Sequence, residues 1–126
     1  MASIEVKGHY ENKGTKPAST VKTDVLTCPS AGGMWFVVVR INICASDGSA
    51  GTADVFQYDS AGAVEYQLQK NAVIPAAGSL SLGDLQIVLL DGDILRVTPS
   101  AANQHVMVYY MVGRSDPQEF VPGLRR

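Results

Sequence analysis

The sequence predicts an all-β protein built as an antiparallel sandwich. Apolar and polar residues alternate with a period of two along most of the chain, which is the pattern of half-buried strands. Turn-forming residues recur at short, regular intervals, and the 126 residues include twelve glycines and six prolines. No segment shows a competing helical period. Short strands at such spacing favour a sandwich or barrel over an α/β fold.

Eight strands are predicted in order along the chain. They are Thr20–Cys28, Met34–Cys44, Thr52–Tyr58, Ala63–Gln69, Ser79–Leu82, Leu85–Leu90, Ile94–Thr98 and Val106–Val112. Gly, Pro, Asp, Asn and Ser separate them, because these residues supply positive φ or local side-chain bonds to the backbone. Asp91-Gly92 between two apolar runs predicts a hairpin, and Gly83-Asp84 predicts a turn. Eight antiparallel strands in two sheets match a jelly roll.

The strand Met34–Cys44 has an uninterrupted apolar face and a second, partly apolar one. The first face consists of Trp35, Val37, Val39, Ile41 and Ile43. We expect it in the core, where Trp35→Ala would cost about 3–5 kcal/mol. The second face begins with Met34, Phe36 and Val38 and predicts either an oligomer interface or a cover from one of the terminal arms. Phe36→Asp is then expected to disturb assembly more than folding.

Both ends of the chain lack a core-facing pattern. We therefore expect an N-terminal arm at residues 1–19, a sandwich domain at 20–112 and a C-terminal tail at 113–126. The N-terminal arm is predicted to bind a neighbouring protein by adding a strand to its sheet edge. Its interface residues would be Lys7, Tyr10, Lys13 and Lys16, and frayed termini without a role are the alternative.

Composition and charge exclude several classes of protein. The chain is 46% apolar and only 17% charged, which argues against disorder, and its net charge of −2 predicts no nucleic-acid partner. The run Met34–Val39 is too short for a membrane helix, so we expect no membrane partner. The start has no apolar segment typical of a secretion signal, so we expect synthesis in a cytoplasm.

No residue pattern indicates an enzyme, a metal or a cofactor. His9 and His105 lie far apart without further ligands, and Asp91–Asp93 lacks the remaining positions of a calcium loop. A Gly-x-Ser-x-Gly sequence is absent, and the scattered carboxylates single out no glycosidase pair. A cupin-like enzyme would need a His cluster that two histidines do not supply.

The two cysteines are too few for a disulfide scaffold. If the first two predicted strands form a hairpin, Cys28 and Cys44 lie about 33 Å apart, beyond disulfide reach. This distance does not apply if the strands belong to different sheets. The exposed or buried state of both thiols therefore stays open at this point.

The stretch Val21–Val112 resembles the small jelly-roll proteins of tailed-phage virions. The resemblance lies in the order of the parts, including Trp35–Ile43, Ile74-Pro-Ala-Ala-Gly-Ser-Leu-Ser-Leu82 and Leu85-Gln-Ile-Val-Leu-Leu-Asp-Gly-Asp-Ile-Leu-Arg-Val97. It implies a non-catalytic decoration or cement protein located in the virion. It also implies a homotrimer that binds the major capsid protein.

Two other functions remain open. One is a tail adaptor, and the other is a receptor- or carbohydrate-binding module of a phage tail. Such a module would use Trp35, Phe56, Tyr66 and Tyr109 or Tyr110 to stack on sugars, whereas core packing is the ordinary role of these side chains.

Overall fold

The computed structural model describes residues 6–30 and 33–115, apart from the side chains of residues 6–8, 84–86 and 115. All regular secondary structure in these residues is β, which confirms the predicted fold class. The strands are β1 Val6–Thr15, β2 Thr23–Thr27, β3 Met34–Ala45, β4 Gly51–Asp59, β5 Val64–Ile74, β6 Leu80–Leu89, β7 Ile94–Pro99 and β8 Gln104–Ser115. No helix capable of crossing a membrane occurs in the part of the chain described here.

The strands form two four-stranded antiparallel sheets that pack face to face. Sheet A has the order β1-β8-β3-β6, and sheet B has the order β2-β7-β4-β5. Apart from the β4–β5 hairpin, each connection passes from one sheet to the other. This arrangement is the predicted jelly roll.

The core lies between the sheets and is almost entirely aliphatic. Alternate residues of the inner strands point into it, as expected for a sandwich. Its buried members include Val25, Leu26, Phe36, Val38, Ile41, Ile43, Ala53, Val55, Leu89, Leu95, Val97, Val106, Val108, Tyr110 and Val112. The rings of Phe36 and Tyr110 pack against each other in this core, tilted by 44° with their centroids 4.8 Å apart.

A β-bulge in β3 reverses the face that the sequence predicts for its first half. The pairing with β8 passes from Val38↔Tyr110 directly to Arg40↔Tyr109, so Val39 is an extra residue without a partner. An extra residue exchanges the inward and outward positions on its two sides. Phe36 therefore points into the core together with Ile41. The expectation that Trp35, Val37 and Val39 share the core face with Ile41 is wrong.

The N-terminal segment is part of the sandwich rather than a free arm. Val6–Thr15 forms the edge strand β1 and pairs with β8 without interruption, from Val6↔Ser115 to Thr15↔Val106. Residues 9–14 are exposed, which explains why their sequence has no apolar alternation. Backbone pairing can hold such a strand without apolar side chains of its own in the core. The sandwich thus spans 6–115 instead of 20–112, and residues 1–5 and 116–126 lie outside the described residues.

Three local expectations also change. The predicted strands Ser79–Leu82 and Leu85–Leu90 are one strand, β6, which runs through Gly83. The Asp91-Gly92 turn joins β6 in sheet A to β7 in sheet B, so it is not a hairpin. Because β2 and β3 belong to different sheets, the distance argument for the cysteines does not apply. Both are free thiols, with Cys28 buried and Cys44 exposed.

Asp93 fixes the loops at one end of the sandwich. Its Oδ1 accepts a hydrogen bond from the Ser60 N–H at 2.9 Å, and its Oδ2 accepts one from the Leu90 N–H at 3.0 Å. Its carbonyl accepts the Cys28 N–H at 2.9 Å. The buried carboxylate thus joins the β4–β5 loop to the β6–β7 turn, and the backbone carbonyl of the same residue binds the chain just after β2.

Replacing Asp93 with alanine is expected to lower the free energy of unfolding by about 2–4 kcal/mol, because two amides lose charged acceptors. Asp93→Asn retains one acceptor oxygen, so its free energy of unfolding is expected to lie between that of the wild type and that of Asp93→Ala. Urea unfolding curves measure both effects. An alanine variant as stable as the wild type would contradict this role of the carboxylate.

Candidate assembly surface

The outer face of sheet B carries a group of charges that are paired within the chain, beside the rings of Phe56 and Tyr58 and the exposed Val73. The Arg96 guanidinium donates to Asp24 Oδ1 at 2.8 Å and to Glu65 Oε2 at 3.0 Å. Lys22 also pairs with Glu65 and lies 3.9 Å from the centroid of the Phe56 ring. A surface with satisfied charges of this kind is suited to contact with water.

The outer face of sheet A is apolar at the end that holds Tyr10, Trp35 and Val88, and it carries Asn12, Arg40, Asn42 and Ser81 toward the other end, which we call the lower end. A row of large side chains crosses all four strands through the pairs Tyr10↔Met111, Met111↔Val37 and Val37↔Val88. Tyr10 is 75% exposed and Val88 is 43% exposed. We call this surface the apolar face and define it by Tyr10, Trp35, Val37, Val88, Met107, Tyr109 and Met111. The side chains between these two ends are half-buried, so the row forms one continuous apolar patch, and such patches mark interaction sites.

Glycines beneath long side chains keep the apolar face level. A Cβ at Gly113 would overlap the indole ring of Trp35, which lies across the β8 backbone. A Cβ at Gly14 would lie 3.3 Å from Met107 Cε, and a Cβ at Gly83 would lie 3.6 Å from Arg40 Nη2. The long side chains therefore lie flat over neighbouring strands. A level surface can be matched closely by a second surface, as stable interfaces require.

Charge is sparse on the apolar face. No carboxylate is found among the outward side chains of sheet A that the structure describes. Arg40 lies in its lower half and donates a hydrogen bond to Ser81 Oγ at 2.9 Å. Depletion of charged residues is typical of the core of a protein interface.

The structure separates the six residues that the sequence places at an interface. Tyr10 lies on the apolar face, whereas Lys13 and Lys16 are exposed beside the β1 edge. Met34 packs against the core, and Phe36 is buried within it at 6% exposure, so Phe36 is removed from the candidate surface. The side chain of Lys7 lies outside the described residues. One signal for the candidate surface was available, since Met107, Tyr109 and Met111 alternate with inward-facing valines and a tyrosine in β8.

The hydrogen bond between Tyr110 and Glu11 connects the edge strand β1 to the core. The Tyr110 hydroxyl donates to Glu11 Oε1 at 3.0 Å. Burial, followed by this hydrogen bond and the charge of Glu11, raises the pKa of Tyr110 to about 12. The bond from His9, followed by that from Tyr110, lowers the pKa of Glu11.

Stability is therefore expected to fall in alkaline solution. The folded pKa of Tyr110 lies above the unfolded value of 10, so its contribution is complete below pH 10 and is lost as the pH rises through about 12. The full loss amounts to about 2–3 kcal/mol. Chemical unfolding at a series of pH values measures it, with Tyr110→Phe as the control. An unchanged pH dependence in that variant would refute the assignment.

A groove of about 490 Å³ opens at the lower end of the apolar face. It is lined by Gly14, Thr15, Lys16, Asn42, Cys44, His105, Val106 and Met107. Cys44 stands directly opposite His105 in the β3–β8 ladder, a pairing that the sequence did not indicate. In the described part of the chain, no group of three or more His, Cys, Asp or Glu side chains could hold a metal ion.

The fold is shared with several solved structures, although no protein-family model and no curated protein matches the chain. A chain of Bacillus endospore appendages, a family of disulfide-linked pili, has a TM-score of 0.57 at 9% identity over 90% of both chains. The Drosophila NLP core, whose structure concerns pentamer formation and histone binding, has a TM-score of 0.52 at 13% identity and covers 89% of this chain and 100% of its own. A chain of infectious bursal disease virus, Gx strain, scores 0.54 at 9% identity over 90% of this chain and 33% of its own. Identities this low establish the fold alone.

Proposed function

We propose that the chain is a structural protein of a virion, which binds the outside of a tailed-phage capsid as a decoration or cement protein. The contrast between the apolar face of sheet A and the paired charges of sheet B carries this proposal. A protein that acts alone in water gains nothing from leaving one sheet face apolar, whereas an assembling protein buries that face. The role is non-catalytic.

The similar folds and the resemblance to phage virion proteins support an assembling protein. The pilus family and the pentameric NLP core are both built from repeated chains of this fold. The resemblance to small phage jelly-roll proteins adds the virion location, the homotrimer and the major capsid protein as partner. Many weak contacts repeated around a shell give such a protein its avidity.

Purified virions test the proposed location. The chain is expected in intact particles, on the outer surface of the capsid and in a fixed ratio to the major capsid protein. Particles stripped of it should bind the recombinant chain again at that ratio. Absence of the chain from the virion would contradict the proposal, and labelling confined to the tail would favour a tail adaptor.

One groove supports the alternative of a carbohydrate-binding module. It has a volume of about 430 Å³ at the end of the sandwich that holds Asp93, and Trp35, Asp59 and Asp91 line it together with Met34 and Leu90. An aromatic platform beside carboxylates is a chemistry that recognises sugar hydroxyls. Binding of the chain to immobilised host-surface glycans, abolished by Asp91→Ala, would favour this function over decoration.

A further inference from the structure

The two open edges of the sandwich differ as strongly as its two faces. The edge formed by β1 and β2 carries polar residues, including His9, Glu11 and Lys13 of β1. The opposite edge, formed by β5 and β6, carries exposed apolar side chains. We call it the apolar edge and define it by Val64, Tyr66, Leu68 and Leu90.

The apolar edge is a surface distinct from the apolar face. Tyr66 is 55% exposed and stands opposite Gln57 in the β4–β5 ladder. Gln57 Nε2 donates to the Val88 carbonyl at 2.9 Å and so joins the two sheets at this opening. Tyr66 thus flanks the gap between the sheets, whereas Met111 and Tyr10 point outward from sheet A. Leu90, at 57% exposure, ends the β6 side of this edge.

We propose that the apolar edge of one copy packs on the apolar face of the next, so that the copies form a closed ring. This inference deepens the proposed function, on which it rests. A two-fold dimer uses the same patch on both subunits and would leave one of the two apolar surfaces in water. A head-to-tail contact uses two different patches and buries both, and it closes into a ring when the rotation permits.

Charges at one end of the sandwich favour the same arrangement. Asp59 and Asp91 line a groove with Leu90 and Trp35, so carboxylates lie at the end where the apolar edge and the apolar face both terminate. Arg114 is exposed at the same end of sheet A, where its pairing with Met34 in the β3–β8 ladder places it on the inner side of the sheet, next to the last residue of β8. In a ring whose axis runs along the strands, the same ends of neighbouring copies meet. Opposite charges, Asp91 of one copy and Arg114 of the next, then lie at the meeting ends, which favours this direction of packing.

A complementation experiment tests the ring. The edge variant carries Tyr66→Asp with Leu68→Asp, and the face variant carries Tyr10→Asp with Met111→Asp. Each variant alone is expected to be monomeric by native mass spectrometry, because every contact needs one edge and one face. A mixture of the two is expected to give heterodimers, since the intact face of the edge variant can bind the intact edge of the face variant.

Several results would overturn the inference. An edge variant that assembles like the wild type would show that the edge is not used. A mixture that stays monomeric beside an assembling wild type would exclude head-to-tail packing but leave the proposed assembly itself intact. A monomeric wild type would remove this inference and the proposed homotrimer, whereas the proposed location in the virion is tested separately by the purified particles. Val73→Asp, on the outer face of sheet B, is the matched control and is expected to assemble normally.

A second measurement covers the case in which the aspartate variants fail to fold. Tyr66→Cys and Tyr10→Cys are combined in one chain that also carries Cys44→Ser. Oxidation is expected to link neighbouring copies into covalent multimers, whereas either cysteine alone is expected to leave the subunits unlinked. Covalent dimers from Tyr10→Cys alone would instead indicate a two-fold contact between apolar faces.

Discussion

Replacing Phe36 with alanine is expected to lower the free energy of unfolding by about 3–5 kcal/mol, the usual cost of removing a large aromatic side chain from a core. Phe36 is 6% exposed and stacks on Tyr110, which in turn holds β1 through Glu11. The variant therefore loses packing on two adjacent strands of sheet A. Denaturant unfolding followed by circular dichroism measures the change.

Trp35→Ala is the matched control for Phe36→Ala. Trp35 precedes Phe36 directly but lies on the outer face of sheet A, over Gly113. Its removal is expected to cost about 1 kcal/mol, the size of a cross-strand contact. A larger loss of unfolding free energy for Trp35→Ala than for Phe36→Ala would contradict the position of the bulge. It would indicate instead that Trp35 shares the core face with Ile41, as the sequence predicts.

Replacing Val88 with aspartate is expected to weaken self-association by about a hundredfold or more, because a carboxylate would be buried without a partner. Val88 ends the apolar row that crosses sheet A and has no core contact to lose. Folding is therefore expected to persist. Sedimentation velocity over a range of concentrations measures the change in the association constant.

Val73→Asp provides the comparison for Val88→Asp. Both valines are exposed, Val73 to 65%, and both lie on edge strands, but Val73 points outward from sheet B. Its replacement is expected to leave association within about twofold of the wild type, since surface changes away from a contact have small effects. Equal effects of the two substitutions would indicate that sheet A has no special part in assembly.

The fold class could be predicted from the sequence because period-two alternation and turn residues are local signals. The face that each half of β3 presents could not be predicted in the same way. Trp35 to Ile43 alternates without a break, yet the single extra residue Val39 exchanges inside and outside between Val38 and Arg40. Both choices of face are apolar, so the sequence contains no polar residue that would mark the change.

The edge strand β1 was missed for a related reason. Apolar alternation reports burial of side chains, and residues 9–14 are exposed on both sides of the strand. What holds β1 is its hydrogen-bonded ladder with β8 and the bond from Tyr110 to Glu11, and neither leaves a trace in the apolar pattern of the strand. The prediction of a turn at Gly83-Asp84 was also wrong. Glycine can lie within a strand where it makes room for a neighbouring side chain, here that of Arg40.

The candidate surface could be predicted only in part. The sequence indicates that one strand face is too apolar for water, and the structure assigns that property to the outside of sheet A. Tyr10 joins this surface only because β1 pairs with β8 in a particular register, Tyr10↔Met111. Register between distant strands is a property of the whole sandwich. Local sequence patterns therefore do not determine which residues share the apolar face.

The fluorescence of Trp35 tests most directly whether the apolar face is buried by assembly. It is the single tryptophan of the chain and lies on that face. As the protein concentration rises through the range in which light scattering detects assembly, its emission is expected to shift to shorter wavelength and acrylamide quenching to decrease. Emission and quenching that stay constant while the protein assembles, or a protein that remains monomeric, would contradict the account.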